Sequence, residues 1–193
     1  EQLEILIRIG AFRFTGKTKY ELMWEKNAAL DPQRQREGRF ATGTLFEHPH
    51  EDFTLPRLHE GPNDQAFDEI ELLGFPLCSP FELLAPGHDH EGILAEHLPR
   101  FVGRIVTILG YYVCKRDVRT VKGEWMAFGT WLDREGRFFD TTHFPDFLQR
   151  HPFRGKGIYR IEGRVVEEFG FPSLEAVRMQ RLPFVRDERY DEA

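Results

Sequence analysis

The stretch WMAFGTWLDREGRFFDTTHFPDFLQR, residues 125–150, decides the fold. Its first eight residues are rich in aromatic side chains, which predicts a strand over 125–132, and the polar run 133–136 is typical of a hairpin turn. Another strand is expected over 138–143, and a short helix whose first residue is a proline is expected over 145–150. The stretch therefore predicts strand, turn, strand and helix in immediate succession.

Sequence of the β type surrounds this stretch on both sides. Upstream, β-branched and aromatic residues over 102–113 predict a long first strand, which a polar loop over 115–122 joins to the next strand. Downstream, strands are predicted over 157–167 and 173–182, with a tight turn between them. The order β-β-β-α-β-β within 101–186 is that of a five-stranded OB barrel, although a five-stranded meander or an SH3-like barrel shares most of these signals. The helix between the third and fourth strands favours the OB fold.

The first hundred residues have a different pattern. Short helices are predicted over 2–9 and 19–28, the second beginning at a capping box formed by Thr18 and Glu21. Residues 30–62 are rich in proline, glycine, histidine and charge without a sustained period, which predicts an irregular linker. The fold class is therefore α+β, with the end of a helical region over 1–29, the linker over 30–62, a short helical segment over 63–100, the barrel over 101–186 and an acidic tail over 187–193.

Composition indicates a globular chain in which charge is unevenly distributed. Of its 193 residues 40% are hydrophobic and 30% are charged, which excludes a disordered or fibrous protein. The net charge of −6 combines −8 over residues 1–100, +5 over 101–186 and −3 over 187–193. A basic segment inside an acidic chain is typical of a part that faces nucleic acid. Two cysteines are too few for a disulfide framework and indicate a reducing, cytoplasmic compartment, and no apolar run is long enough to span a bilayer.

A basic loop and a strand with two tryptophans form the candidate binding site. The loop 115–122 carries four cations against one anion, and the next strand places Trp125 and Trp131 on one face with an alanine and a glycine between them. Small residues between two tryptophans leave room for a base to lie flat, whereas the opposite face, which includes Phe128, is expected in the core.

An OB barrel binds single strands through the face of its second and third strands and through the loops that join strands one to two and four to five. We therefore expect single-stranded DNA as a partner. The alternative is that both tryptophans cover apolar surface against the helical half. The expected site consists of Lys115, Arg116, Arg119 and Lys122 for phosphates, with Trp125 and Trp131 for stacking.

The histidines offer a competing hypothesis, a small metal-dependent enzyme. His48 and His50 form one close pair, and His88 and His90 form another, with Cys78 upstream of it. Neither spacing sets ligands on one face of a helix, and no Cys-x-x-Cys pair is present, so polar loop residues are the favoured interpretation. The sequence also lacks a phosphate-binding Walker loop, a nucleophile elbow and a glycine-rich dinucleotide turn. We expect neither a catalytic constellation nor a cofactor in this chain.

Several segments occur in an order that resembles one known family, the alpha subunits of bacterial polymerase III, which are replicative DNA polymerases of the C family. The first segment resembles the end of their helix-hairpin-helix region, the second the helix before their C-terminal OB domain, and the others the OB domain itself. A Ser-Pro pair stands here where many members have a Gly-His-Pro turn. The segments are Leu6–Phe12, Leu73–Leu77 with Ser79-Pro80, Thr120-x-x-Gly123-Glu124-x-Met126-Ala127-Phe128, Asp133-x-x-Gly136 and Phe144-Pro145.

The resemblance implies that the chain is a fragment near the C-terminus of a much longer DNA-directed DNA polymerase, a nucleotidyltransferase. The palm with its metal-binding aspartates and the PHP domain would lie upstream, so that the parent protein would use Mg²⁺ while this fragment carries no active site. The OB domain would then bind the single-stranded template.

The resemblance also implies a contact with the sliding clamp. Family members often carry a Gln-x-x-Leu/Met-Phe motif between the helical region and the OB domain, and the corresponding residues here are 42–46. Leu45 and Phe46 would be its apolar anchors, and Thr42 stands in place of the glutamine. In the alternative, Leu45 and Phe46 hold the linker against the helical unit. A second hypothesis for the whole chain is a protein-interaction scaffold that contacts other replisome subunits without binding DNA.

Overall fold

The computed structural model describes residues 1–30, 60–88 and 92–190 and divides the chain into two compact units. The helical unit comprises Glu1–Pro76 with Arg189–Ala193, and the barrel unit comprises Leu77–Glu188. The described helices are α1 (Gln2–Arg8), α2 (Lys19–Leu30), α3 (Asp64–Leu73) and α4 (Pro145–Arg150), with 3-10 turns at Arg13–Thr15, Pro80–Leu83, Ala95–Phe101 and Glu188–Tyr190. The strands are β1 (Ile105–Arg119), β2 (Trp125–Leu132), β3 (Phe138–His143), β4 (Ile158–Glu168) and β5 (Phe171–Arg181).

A buried carboxylate holds the helical unit together. Asp68 on α3 is 4% exposed, and its oxygens accept hydrogen bonds from Arg8 Nη2 at 2.6 Å, Lys19 Nζ at 3.0 Å and Arg189 Nη1 at 2.6 Å. Burial alone would raise the pKa of Asp68, but the bonds from Arg8 and Lys19 outweigh it and keep that pKa below its ordinary value. One ionised side chain thus joins α1, the start of α2, α3 and the C-terminal segment.

The five strands close into a barrel with the order β1-β2-β3-β5-β4. All strand pairs are antiparallel except β3 and β5, which pair in parallel at Thr141 and Leu174. A meander would pair β3 with β4, so the parallel pair excludes it. Because α4 lies between β3 and β4, this is the five-stranded OB barrel, and the predicted α+β fold class is confirmed.

The predicted bounds of β2, β3 and α4 agree with the structure, but β1 is longer than predicted. It continues to Arg119 and pairs with β2 over its whole second half, up to the pair Arg119 and Trp125. The connecting turn is closed by a backbone bond from Thr120 N to Glu124 O at 2.8 Å. Most of the predicted basic loop is therefore strand, since cations on the exposed part of a hairpin interrupt neither its pairing nor its core.

Trp131 lies at the centre of the barrel core. It is 0% exposed, and its ring lies 5.2 Å from that of Tyr159, 5.5 Å from that of Tyr112 and 5.8 Å from that of Phe153. Its Nε1 donates to Thr141 Oγ1 at 2.7 Å. The expectation that Trp131 faces solvent is wrong, because residues 127, 129 and 131 of β2 point into the barrel and the even-numbered residues point outward.

Thr141 connects this tryptophan to a buried histidine. His143 Nε2 lies 2.6 Å from Thr141 Oγ1, and His143 Nδ1 has no hydrogen-bond partner among the described residues. Every donor is satisfied if Nε2 carries the proton, because Thr141 Oγ1 then accepts from Trp131 and His143 and donates to Gly129 O at 3.3 Å. Desolvation by burial lowers the pKa of His143 to about 4.

A second apolar cluster covers one part of the outer barrel surface. The segment around the turn Pro80–Leu83 and the residues after β5 pack there, joined by a bridge between Leu84 and Phe184. This cover leaves the outer surface of β2 and β3 open, where several large apolar side chains stay exposed. The cluster consists of Phe81, Leu84, Leu109, Tyr111, Ile158 and Leu182.

The two tryptophans of β2 should differ sharply in their contribution to stability. Trp131→Ala removes a fully buried ring and its hydrogen bond, so we expect the free energy of unfolding to fall by about 3–5 kcal/mol. Trp125→Ala removes a half-exposed ring and should lower it by less than about 1 kcal/mol. Urea unfolding followed by circular dichroism measures both. Equal midpoints for the two variants would contradict the position of Trp131.

The buried histidine predicts a loss of stability in acid. The pKa of His143 is lower in the folded chain than in the unfolded chain, so its full contribution is present above about pH 6.5 and is lost as the pH falls towards 4. The loss is on the order of 3 kcal/mol. His143→Gln keeps a hydrogen-bond donor and does not titrate, so its unfolding free energy should change less between pH 7 and pH 4.5. Identical pH profiles would remove His143 from the explanation, since all other groups are shared.

Candidate nucleic-acid interface

The β1–β2 hairpin extends past the end of the barrel sheet. β3 ends at His143, which pairs with Ala127, whereas β1 and β2 continue pairing to Arg119 and Trp125. Partners in an antiparallel ladder share a face, so Arg119 and Trp125 lie on the side that continues the barrel interior. The free end of the hairpin is thus a two-stranded ribbon with two accessible faces.

An arginine and a tryptophan stack on the inner side of this ribbon. The guanidinium carbon of Arg119 lies 4.7 Å from the ring centroid of Trp125, and that tryptophan is 55% exposed. Trp125 is exposed, although it is in phase with the buried Trp131, because the barrel ends before the ribbon does. The pair presents a flat aromatic surface with a positive charge beside it.

Lys115 lies on the same side of the hairpin, but a neighbouring carboxylate partly neutralises its charge. Its Nζ is 3.0 Å from the carboxylate of Asp117 and 5.6 Å from the ring centroid of Phe153. Asp117 therefore offsets one of the four predicted cations. Within the described part of the chain, neither Arg116 nor Lys122 is in an ion pair, and both are exposed. These two cations and Arg119 are the ones available to an anionic ligand.

The outer side of the same strands carries two exposed aromatic residues, and the expectation that one of them, Phe128, lies in the core is wrong. Phe128 on β2 is 42% exposed and pairs with Arg116 on β1, while Phe138 on β3 is 66% exposed. Between them, Thr130 Oγ1 donates to Asp140 at 2.7 Å. We call this surface the β1–β3 face, and it consists of Arg116, Val118, Met126, Phe128, Thr130, Phe138, Asp140 and Thr142.

At Trp131 and Phe128 the buried and exposed faces of β2 are the reverse of those expected, and this has a clear physical reason. A Cβ atom at Gly129 would lie 2.8 Å from Trp131 Nε1, so the glycine makes room for the indole inside the barrel. Ala127 and Gly129 therefore provide room for the core and not, as expected from the sequence, for a base. Phe128 lies three positions before Trp131, so strand alternation places it outward once Trp131 is known to point inward. Phe138 shares that outward face because it pairs with Leu132 of β2.

Other predicted residues are not assembled into a site. Leu45 and Phe46, the candidate clamp anchors, lie outside the described residues, as do His48, His50 and His90. Among the residues that the structure describes, no group of three or more histidine, cysteine, aspartate or glutamate side chains is placed to hold a metal ion. In the same described ranges, no helix is both long enough and apolar enough to cross a membrane.

Comparison with known proteins returns structures only. No family model and no curated protein matches the chain. A proposed nucleic acid-binding lipoprotein from Klebsiella pneumoniae is similar over 44% of this chain and 78% of its own length, with 16% identity and a TM-score of 0.36. The single-stranded DNA binding protein from Thermus aquaticus is similar over 41% of this chain and 40% of its own length, with 17% identity and a TM-score of 0.36. The OB assignment rests on the strand order described above.

Proposed function

We propose that the barrel unit binds single-stranded nucleic acid on the β1–β3 face and the adjoining ribbon. The observation that carries the proposal is the pair of exposed rings, Phe128 and Phe138, on one open sheet surface beside Arg116. Bases stack on exposed aromatic rings whatever their sequence, and each stacked base contributes about 1–3 kcal/mol. Exposed rings on a surface that does not pack against the core of the barrel are the feature that such binding requires.

The positions of the charges suggest a path for the strand. Phe128 pairs with Thr142, and Phe138 lies four residues before Thr142 on β3, so the two rings are separated by about 13 Å along the strand direction. Arg116 lies beside Phe128, and Asp140 lies near Phe138. Phosphates would therefore run along the β1 side, towards the ribbon with its cations, while the bases cover the two rings.

The ribbon supports the proposal in a second way. Trp125 with Arg119 on it offers another aromatic surface, and Lys122 in the turn adds an unpaired charge within the described residues. Four of the six residues expected from the sequence therefore stay in the proposal, namely Arg116, Arg119, Lys122 and Trp125, whereas the charge of Lys115 is offset by Asp117. Trp131 leaves it, and Phe128 and Phe138 replace it.

We further propose that this binding serves a polymerase III alpha subunit of the bacterial C family, as the ordered segments imply. In that case the barrel would hold the template strand, and the chain by itself would not polymerise.

Contact with the sliding clamp through Leu45 and Phe46 stays a prediction. Surface plasmon resonance with purified clamp tests it: the Leu45→Ala/Phe46→Ala variant should lose binding, and an unchanged response would remove the motif.

The stacking residues predict a graded loss of affinity. Phe128→Thr and Phe138→Thr each remove one ring from an exposed strand position, so the affinity for a fluorescent poly-dT oligonucleotide should fall about five- to one-hundred-fold. Anisotropy titration at low salt measures this. Val177→Thr, an exposed apolar residue on β5, is the matched control and should bind as the parent chain does. Undiminished binding by the double Phe128/Phe138 variant would contradict the proposed face.

The cations predict a change in salt dependence. Arg116→Ala and Arg119→Ala should each lower the slope of log affinity against log salt by about 0.7, the value for one phosphate contact on a single strand. Arg178→Ala is the matched control, because Arg178 is an exposed arginine on β5 outside the proposed interface. Equal slopes for all three variants would show that neither Arg116 nor Arg119 contacts a phosphate.

A further inference from the structure

The turn between β4 and β5 has an unfavourable residue in its first position. Phe169 and Gly170 connect the strands, with φ of 52° and 82°. Two-residue hairpin turns with both φ angles positive favour Asn-Gly, because a bulky side chain is strained in the left-handed region. Among the described residues, Phe169 is the one non-glycine residue with a positive φ.

The same turn leaves two phenyl rings in solvent. Phe169 is 98% exposed, and Phe171, the first residue of β5, is 77% exposed. Neither ring packs on the barrel, so the fold gains nothing from them that would offset the strain at Phe169. Strain at an exposed residue that does not stabilise the fold indicates a role in binding. We call Phe169–Phe171 with the preceding Glu167 and Glu168 the turn tip.

The charge of the turn tip argues against nucleic acid as its ligand. Glu167 and Glu168 are exposed and directly precede the two rings, so a phosphate chain would be repelled there. Aromatic rings next to carboxylates fit a surface that offers apolar contact and cations. The β1–β3 face has this chemistry, since the exposed ring of Phe128 lies beside Arg116.

We propose that the turn tip of one copy of this chain binds the β1–β3 face of a second copy. The phenyl rings occupy the positions of bases, and the carboxylates occupy those of phosphates. Self-association then competes with the binding of single-stranded nucleic acid. This competition rests on the proposed function, but the self-association does not. The tip and the face are different surfaces, so the contact is head-to-tail and adds copies in a series that either stays open or closes into a ring.

The association should be weak and salt-sensitive. A contact formed by two side chains and a hairpin turn is far smaller than the area of a stable interface, which places it in the transient class. The proposed ion pairs between the glutamates and Arg116 lie at the rim of the contact, so salt screens them. Sedimentation over a hundredfold range of concentration should show a mass that rises with concentration, rises beyond a dimer and falls when salt is added.

Two variants with complementary defects give the sharpest test. The tip variant, Phe169→Asn/Phe171→Thr, keeps an intact face, and the face variant, Arg116→Glu/Phe128→Thr, keeps an intact tip. Each alone should be a monomer, with self-association at least tenfold weaker than in the parent chain. Mixed together, they should form a 1:1 complex and nothing larger, because each contributes one competent surface. Failure of the mixture to associate, while the parent chain does, overturns the proposal.

The tip variant also guards against loss of folding. Phe169→Asn places the favoured residue in the turn, so its urea midpoint should be equal to or higher than that of the parent chain. A tip variant that is monomeric and unfolds at an undiminished urea midpoint therefore supports the proposal. A parent chain that is monomeric at all concentrations overturns it.

Titration with poly-dT separates this inference from the proposed function. Oligonucleotide should dissociate the parent assembly, and the tip variant should bind oligonucleotide as tightly as the parent monomer does. Association without any oligonucleotide binding would leave the inference standing and defeat the proposed function. Weaker oligonucleotide binding by the tip variant, with no association in either chain, would assign the tip to nucleic acid and overturn the inference.

Discussion

The orientation of Trp131 is the constraint on which the rest of the barrel depends. An indole at the centre of a small barrel needs space from its neighbours, and glycines provide it. A Cβ at Gly110 would lie 3.0 Å from Trp131 Cβ and 2.7 Å from Phe139 Cζ, and one at Gly129 would lie 2.8 Å from Trp131 Nε1. With these two positions occupied by glycine, β1, β2 and β3 can pair around the ring. A shift of β2 by one residue would turn the indole outward and Phe128 inward.

This register also creates the surface that we propose to be functional. Because alternate residues of a strand face opposite sides, placing Trp131 inward necessarily places Phe128 outward. Trp125 is on the same side of β2 as Trp131, but it stays exposed because β1 and β2 extend beyond the end of β3 and no barrel encloses it there. A core requirement and an exposed aromatic surface are thus two results of one strand pairing.

Local sequence signals were sufficient for the fold. Residues such as Pro145 at the start of α4 and the run 133–136 between β2 and β3 act over a few positions, so the bounds of β2, β3 and α4 follow from them. The Thr18 and Glu21 capping box is likewise present, with Glu21 N bonded to Thr18 Oγ1 at 3.2 Å. The site was harder to predict, because the side to which Trp131 points depends on Gly110 and Thr141, which belong to other strands. Alternation alone allows either face of β2 to be the buried one.

The ion cluster at Asp68 has a consequence for the order in which the chain becomes structured. Arg189 belongs to the helical unit, yet 112 residues of barrel unit, Leu77–Glu188, precede it in the sequence. During synthesis from the N-terminus, α1, α2 and α3 emerge first, but the third cation of their buried carboxylate arrives only after the whole barrel has been made. Synthesis of the helical unit therefore begins before that of the barrel unit and ends after it.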